Sequence, residues 1–515
     1  MMLYEERMRG LYLNCNFEKM DSMSPLSKDY SETIKLPAQV GDGYLVYSSE
    51  EWSNSSPILE VNGNIFIVAG WFIFENKLND LPSLAEKLLQ GGKDVLNDVE
   101  AGSFVIYWWN ERTPSLLVDP FGLSSHYFDA TANKLRVSPF VSALIVDGQH
   151  VITPILASVL QKKDHLFGDF TLFDGIERLS PGCQIFNSKD KQKYFSLNPP
   201  ERLEFERQHE HIDELASHWQ VDKRLLPISS GLDSRYLLAS SRYYYGFTYG
   251  PDNSPEVSIA SKFADCFDEY YSYDYQKPDE SKLESELLSE MAFGVINPIA
   301  RLLTNYEYIK TKFNRATAFF DGYLGDLFQR GTYVNFKGAE GELFKIFPLV
   351  YKYLNWSGEQ ILAKRYKQLN DEELELLLND FRKNTSDLKL DEYQKVTYYE
   401  FIYGRGARYT AFGSNVLCAQ FFTVVSPFAS KKLFNTFIHQ DFTESVQYKT
   451  MRSIWKKIPE KFRKQPVESG YSPKTPVIFI PFIQIIYRLM FHLIPSRANY
   501  GVALNRKKKS AKESS

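Results

Sequence analysis

Cysteine is scarce in this sequence, and acidic and basic residues nearly cancel. The four cysteines, Cys15, Cys183, Cys266 and Cys418, lie far apart with no Cys-x-x-Cys pair. That excludes a disulfide-stapled scaffold and a zinc ribbon as the organising feature. Lys and Arg number 60 against 64 Asp and Glu, a net charge of −4, so overall charge gives no reason to expect nucleic acid as a partner. The opening Met1-Met2-Leu3-Tyr4-Glu5-Glu6-Arg7 has no apolar core of a secretory signal, which makes the cytoplasm the expected compartment. No phosphate-binding Gly-x-x-x-x-Gly-Lys-Ser/Thr occurs, since Gly91-Gly92-Lys93 runs into Asp94. Gly404-Arg405-Gly406 lacks the third glycine of a dinucleotide fingerprint and reads as a helix break, with Arg405 and Arg408 within reach of an anionic ligand. The histidines are dispersed except His209 and His211, which sit in a charged stretch without a metal-binding pattern. Internal repeats and long low-complexity tracts are absent.

What is present is apolar and aromatic. With 43% hydrophobic and 24% charged residues, the chain can bury a sizeable core and is not disordered. Its 515 residues leave room for two to four domains. The first 190 residues read mainly as strands: β-branched and aromatic runs cover 63–74, 103–109 and 115–118, the last ending in Asp119-Pro120-Phe121-Gly122. Helical periodicity appears at 81–89 and near 152–161. Strands grouped with few helices predict an α+β layered domain. Around Asn198-Pro199-Pro200 the chain turns proline-rich and then strongly charged, so the expected layout is a domain over 1–195, a linker over 196–220 and a second domain over 221–475.

The second domain opens with a different grammar. Arg224 to Ile228 is a short apolar strand, followed by Ser229-Ser230-Gly231-Leu232-Asp233-Ser234, a helix former over 235–240, and a strand over 245–250. Strand, glycine turn, helix, strand is a βαβ unit and hence a parallel sheet of α/β type. Helical patterns dominate 280–440. Small residues at the turn let backbone approach a ligand, and free amides at a helix start suit a phosphate. Asp233 in that turn would repel a bare phosphate and favours a metal between carboxylate and pyrophosphate. The same residues also make an ordinary helix start with Ser and Asp caps. A second apolar strand ends in Asp321-Gly322-Tyr323-Leu324-Gly325-Asp326, and Asp326 is a partner for Asp233 in a Mg²⁺ shell.

The last segment, Pro476 to Pro495, is apolar enough to suggest a membrane span, but Pro481 interrupts it and Arg488 would sit near the bilayer centre. Gln484, Arg488 and His492 share one helical face, so an amphipathic helix is expected. It either docks on its own domain or lies in a membrane interface, helped by Arg506-Lys507-Lys508-Lys509. Beyond Ser496 a polar, mobile tail is expected.

The turn at 229–234 resembles the pyrophosphate loop Ser-Gly-Gly-x-Asp-Ser of the ATP pyrophosphatases, in the form found in the asparagine synthetase family, and 322–326 resembles that family's Gly-x-Gly-Gly-Asp-Glu. Leu117 to Gly122 is similar to its Arg-Asp-Pro-Phe-Gly segment, Thr171 to Gly182 to the bridge between its domains, and Phe247 to Gly250 with Ser254-Pro255-Glu256 to its adenine-side strand and helix. The resemblance covers residues 8 to about 330 in order and 400–475 loosely. It implies a class II glutamine amidotransferase-like domain followed by an ATP-pyrophosphatase domain. The implied reaction adenylates a carboxylate with ATP and Mg²⁺, releases pyrophosphate, and passes the acyl group to ammonia or an amine. Carried over by position, Ser229, Ser230, Gly231 and Ser234 would hold pyrophosphate, Asp233 and Asp326 would bind Mg²⁺ and act in catalysis, and Ile228, Tyr249, Asp321 and Gly322 would surround the adenosine. The implied partners are ATP, a carboxylate and an ammonia or amine donor. Residues 476–509 are a candidate for peripheral membrane contact, and a homodimer stays open.

Several positions depart from the family pattern. Its nucleophilic cysteine aligns with Arg9, its oxyanion asparagine with Ala69, and the acid of its Gly-Asp-Phe with Ser103, so the glutaminase is expected to be inactive. Ser230, Leu324 and Leu327 replace two glycines and a glutamate. In 423–430 only Pro427 and Phe428 are retained, and Lys464 and Lys474 are the nearest substitutes for a late lysine. Two functions follow as expectations: an ATP-dependent amide-forming ligase with an inactive glutaminase half, or a catalytically inactive nucleotide-binding or scaffold member.

Overall fold

The computed structural model describes residues 8–17, 31–274, 293–334, 353 and 356–493, apart from 112, 132, 133, 188, 198, 253, 297 and 298. The tail beyond Ser496 and the basic run 506–509 lie outside the described residues, as does part of the helical stretch expected over 280–440.

The N-terminal strands are β1 (Gly10–Leu13), β2 (Glu32–Lys35), β3 (Gly43–Tyr47), β4 (Ile58–Val61), β5 (Asn64–Phe74), β6 (Lys77–Leu78), β7 (Val99–Trp109), β8 (Ser115–Val118), β9 (Tyr127–Asp129), β10 (Val137–Ser138), β11 (Ile176–Arg178), β12 (Cys183–Ile185) and β13 (Lys191–Lys193). They form two antiparallel sheets, ordered β11-β9-β10-β1-β3-β2 and β13-β12-β8-β7-β5-β4, with β6 paired to β5. Alternation along β5 decides how the sheets pack. Ile65, Ile67 and Ala69 point into a core shared with Leu11, Leu13 and Leu45 of the other sheet. Phe66, Val68 and Phe72 point the opposite way, into the core that holds Leu81, Leu84 and Leu88 of helix α1 (Leu81–Gly91). Asp80 caps α1 by accepting from the Ser83 amide, and Gly92 ends it at φ +65°. Helix α2 (Pro154–Lys163) lies where periodicity places one.

The charged stretch read as a linker is partly helical. Helix α3 (Gln208–Ala216) keeps its charges outward and buries Ile212, Leu215 and Ala216 at helical spacing. His209 and His211 therefore lie on a packed helix. The high charge density that suggested a tether belongs to its solvent face.

In the second half, β14 (Arg224–Pro227), β15 (Tyr245–Tyr249), β16 (Glu269–Tyr273), β17 (Ala318–Phe320) and β18 (Thr423–Val425) form a parallel sheet in the order β16-β15-β14-β17-β18. The strand order reverses between β14 and β17, so the turns after them open side by side at a switch point, where parallel sheets form ligand crevices. Helices α4 (Leu232–Ser240), α5 (Pro255–Ala260), α6 (Ile299–Lys312), α7 (Gly325–Arg330), α8 (Gly358–Arg365), α9 (Asp371–Thr385), α10 (Glu392–Ile402) and α11 (Lys431–Ile438) belong to this half.

The two halves share one core. Arg178 donates twice to the Ile402 carbonyl at 3.1 Å, and Arg408 donates to the carbonyls of Gly168 at 3.3 Å and Phe170 at 2.8 Å. Phe121 meets Phe434 with ring centroids 4.6 Å apart. The Asp-Pro-Phe-Gly turn and the 171–182 segment are thus junction pieces. Arg408, expected within reach of an anionic ligand, is instead fully buried in this junction. Arg405 lies 4.5 Å from the Tyr409 ring centroid, and neither arginine lines a described cavity. Chain does break helicity at Gly404: α10 ends at Ile402 and a π-helical stretch follows over Gly406–Asn415.

Helix α12 (Ile480–Leu493) ends the described chain. Its docked side differs from a simple amphipathic expectation. Gln484 faces the body and bonds the Tyr448 hydroxyl at 3.1 Å, Tyr487 packs over Gly470, and much of the apolar surface faces outward. Gln484 has its hydroxyl partner in the body, while Phe482, Ile486 and Leu489 are exposed. No helix among the described residues is long and apolar enough to cross a membrane.

Candidate functional site

The turn after β14 and the turn after β17 pack directly on each other. A Cβ added at Gly322 would lie 2.8 Å from the Ser234 amide nitrogen, and one at Gly325 would lie 2.9 Å from Asp233 Cβ. Only glycine permits that approach. Leu324 adopts the left-handed conformation at φ +74°, which a leucine disfavours and a glycine accepts.

Both turns open onto a cavity of about 450 Å³ lined by Ile228, Ser229, Asp233, Ser234, Tyr249, Asp321 and Gly322, together with Glu256, Tyr323 and Glu468. Ser230, Gly231 and Asp326 do not line it. The Ser230 amide donates to Glu256 Oε1 at 2.8 Å, and its hydroxyl donates to the other carboxylate oxygen. The Gly231 amide donates to Ser229 Oγ at 3.1 Å, and the Ser229 amide donates to Ser234 Oγ at 3.0 Å. The amides of Ser229, Ser230 and Gly231 are thus all engaged, with Glu256 standing where an anionic ligand would accept from Ser230. Asp326, in the first turn of α7, is electrostatically coupled to Asp233.

Asp233 is held from behind. Gln329 Nε2 donates to its Oδ1 at 2.7 Å, and an Arg330 guanidinium nitrogen lies 3.5 Å from Oδ2. Trp455 Nε1 in turn donates to Gln329 Oε1 at 2.7 Å. Burial pushes the Asp233 carboxyl up to about 7; Arg330 opposes the shift, and Asp326 and Asp321 add to it by repulsion. Burial, reinforced by Glu256, pushes Glu468 up to about 6. Among the described residues four carboxylates and no basic side chain line the cavity, which suits a cation and repels a metal-free triphosphate. Among the described residues no group of three or more His, Cys, Asp or Glu is placed to hold a metal alone. Mg²⁺ bound through one or two carboxylates and phosphate oxygens needs no such cage.

Gln329, Arg330, Glu256 and Glu468 were not singled out from the sequence. Gln329 and Arg330 stand three and four residues after Asp326, the spacing that puts them on its helical face. Glu468 carried no local signal. A second chamber of about 220 Å³ adjoins the first, sharing Pro227, Phe247, Tyr249, Asp321 and Tyr323, and is walled by Arg301, Asn305 and Tyr306 of α6. The retained Phe428 lies beneath the 322–326 turn, where a Cβ on Gly325 would meet its ring at 2.7 Å. Lys464 and Lys474 both pair with Glu460 and reach neither chamber.

Two of the three positions aligned with a glutaminase centre, Arg9 and Ser103, line a cavity of about 110 Å³ at the junction of the halves, beside Gly70, Glu51, Trp71, His126 and Gln420. Ala69 turns its side chain into the sheet core instead. Gly70 has φ +97°, and a Cβ there would lie 2.0 Å from the Ser103 carbonyl oxygen. The Arg9 amide donates to Gln420 Oε1 at 2.8 Å. Burial lowers the Arg9 guanidinium to about 10 against the opposing pull of Glu51, and burial raises Glu51 to about 7. The Leu11 amide donates to His126 Nε2 at 2.9 Å, so Nδ1 carries the ring proton and faces Ser124 Oγ at 2.9 Å. Burial lowers His126 to about 3 and keeps it neutral. Among the described residues no thiol lines this cavity.

No protein-family model and no curated protein matches the chain. Among solved structures, it is similar to the glutamine phosphoribosylpyrophosphate amidotransferase from B. subtilis complexed with ADP and GMP, at 14% identity over 48% of this chain and 56% of that one, TM-score 0.19. It is also similar to a structure described as the allosteric regulatory enzyme of purine biosynthesis, at 13% identity over 47% and 53%, TM-score 0.19. The matches span only about half the length of those chains, and at these TM-scores the likeness carries no argument about fold or chemistry.

Proposed function

We propose that the chain is an asparagine synthetase-like, ATP-dependent carbon–nitrogen ligase whose glutaminase-like half is inactive. The observation that carries this reading is the direct packing of the 229–234 turn against the 321–326 turn around one acidic cavity at the sheet switch point. Bound Mg²⁺–ATP would supply the leaving pyrophosphate. Asp233 and Asp326 fit the metal because they repel each other in a buried setting that a cation would relieve. Ser229 and Ser234 offer hydroxyls, and the amide of Ser230 becomes a donor to the ligand when Glu256 lets go. Gln329 and Arg330 orient Asp233. The adjoining chamber has room for the acyl group, with Arg301 on its wall to receive a carboxylate and tyrosines to pack against its body. Without a thiol at Arg9, ammonia or an amine comes from solution.

Pyrophosphate release is the test: Mg²⁺ and ATP are supplied with a panel of carboxylic acids and free ammonia or simple amines. Turnover with at least one acid supports the ligase. The second reading, a nucleotide-binding scaffold, is favoured by the Glu256 carboxylate seated on the turn and by the lack of a basic side chain lining the main cavity. ATP binding with no pyrophosphate release from any acid would decide for it.

A further inference from the structure

Apolar side chains exposed singly are ordinary on a protein surface, whereas a contiguous patch of them marks a contact site. Among the described residues, seven of the eleven exposed large hydrophobics fall within 478–490. Ile478 is 71% exposed, Phe479 56%, Phe482 50%, Ile486 54% and Leu489 57%. Phe482, Ile486 and Leu489, spaced by four and three residues, lie along one side of α12, and Ile478 and Phe479 stand in the turn that leads into it. The opposite side is committed to the body through Ile480, Gln484 and Tyr487. The outward stripe is therefore anchored in place, with no described element over it.

Charge says what covers this stripe. Between Glu468 and Glu513 the sequence holds no acidic residue and eight basic ones, Lys474, Arg488, Arg497, Arg506, Lys507, Lys508, Lys509 and Lys512. The chain as a whole is at −4, so this positive segment contrasts with an acidic remainder. A second copy seated on the stripe would bring two such basic segments together. An anionic bilayer surface accepts both features, apolar side chains below the headgroups and basic ones among them. The fourteen described helical residues reach about 21 Å, short of the roughly 30 Å hydrocarbon thickness, and Arg488 within them would be costly at the bilayer centre, which favours a helix lying in the surface.

We propose that the exposed stripe Ile478, Phe479, Phe482, Ile486 and Leu489, in α12 and the turn before it, is a peripheral membrane-docking surface that holds the protein on anionic lipid. Co-sedimentation of the full chain with vesicles of phosphatidylcholine plus phosphatidylglycerol tests this. Binding is expected at low salt, and it should fall by about tenfold or more in pure phosphatidylcholine or high salt. The double variant F482E/I486E should lose binding by about tenfold or more while keeping the wild-type circular dichroism and melting temperature, since both side chains face outward. Replacing Arg506, Lys507, Lys508 and Lys509 by Gln should remove the salt-sensitive part. The proposal is overturned if the wild-type chain stays in the supernatant at low salt, or if F482E/I486E binds as well as wild type. Dimers that the same variant dissociates, without vesicle binding, would assign the stripe to a second copy and equally overturn it.

Discussion

The two cavities at the heart of this molecule differ in opposite ways. Around Arg9 the backbone is tightly constrained, with Gly70 pinned at φ +97° against the Ser103 carbonyl, and no thiol among the described residues lines the cavity. Around Asp233 four carboxylates gather, and the turn beside them holds Leu324 at φ +74°. One cavity has a rigid shape and no nucleophilic sulfur. The other has a concentration of acidic groups beside a leucine in a conformation that glycine adopts more readily. In both, neighbouring atoms fix the backbone from several sides.

The sharpest break in that contrast is Asp233→Ala. If the second cavity is the working one, pyrophosphate release should drop by about a hundredfold or more, with circular dichroism unchanged. Equal activity in the variant would remove the distinction between a live and a dead site.

The next effect is on the other side. Gly70→Ala puts a Cβ 2.0 Å from a backbone oxygen at φ +97°, and we expect a loss of about 2–4 kcal/mol in urea unfolding. A near-neutral result would show that the N-terminal cavity is no longer held rigid.

A smaller effect separates ligand-free from ligand-bound states. The Asp233 carboxyl is raised on folding to about 7, so its contribution to stability is full below about pH 4 and is lost as pH rises through its folded value. Asp233→Asn should therefore stabilise the ligand-free protein by about 1–2 kcal/mol at pH 8 and have little effect at pH 4. Mg²⁺–ATP affinity of the wild type should rise between pH 6 and 8, roughly following ionisation of this group. A flat pH profile in calorimetry would separate the carboxylate from the metal.

The smallest expected effect is none at all. Incubation with glutamine should yield no glutamate, and a cysteine-directed glutamine analogue should leave any ammonia-dependent activity unchanged. Measurable glutamate would reopen the N-terminal cavity as a catalytic site.

Periodicity and turn chemistry made much of the scaffold legible. The β-branched and aromatic runs of β5 and β7, the glycine turn between β14 and α4, and the helical periodicity of α1 and α2 are all readable from the sequence. The 208–216 helix was read as a tether because charge dominates its composition, although Ile212, Leu215 and Ala216 carry its packing. At the candidate site, the paired turns were readable as strand ends with glycine and aspartate. Glu468 was not, because its approach to Asp233 depends on how segments more than two hundred residues apart come together. Arg408 misled for a related reason. A lone arginine beside glycines looks available, while carbonyls from a distant segment absorb it.

Those carbonyls have a consequence for how the molecule can be taken apart. Arg178 and Arg408, each wholly shielded, deliver their hydrogen bonds across the boundary between the halves. Cutting the chain near residue 196 would take the carbonyl acceptors away from both buried guanidiniums, leaving Arg178 only Asp169 at 3.5 Å. The N-terminal half thus works as an internal clamp, and calorimetry of the intact protein should show a single endotherm in which both halves melt together.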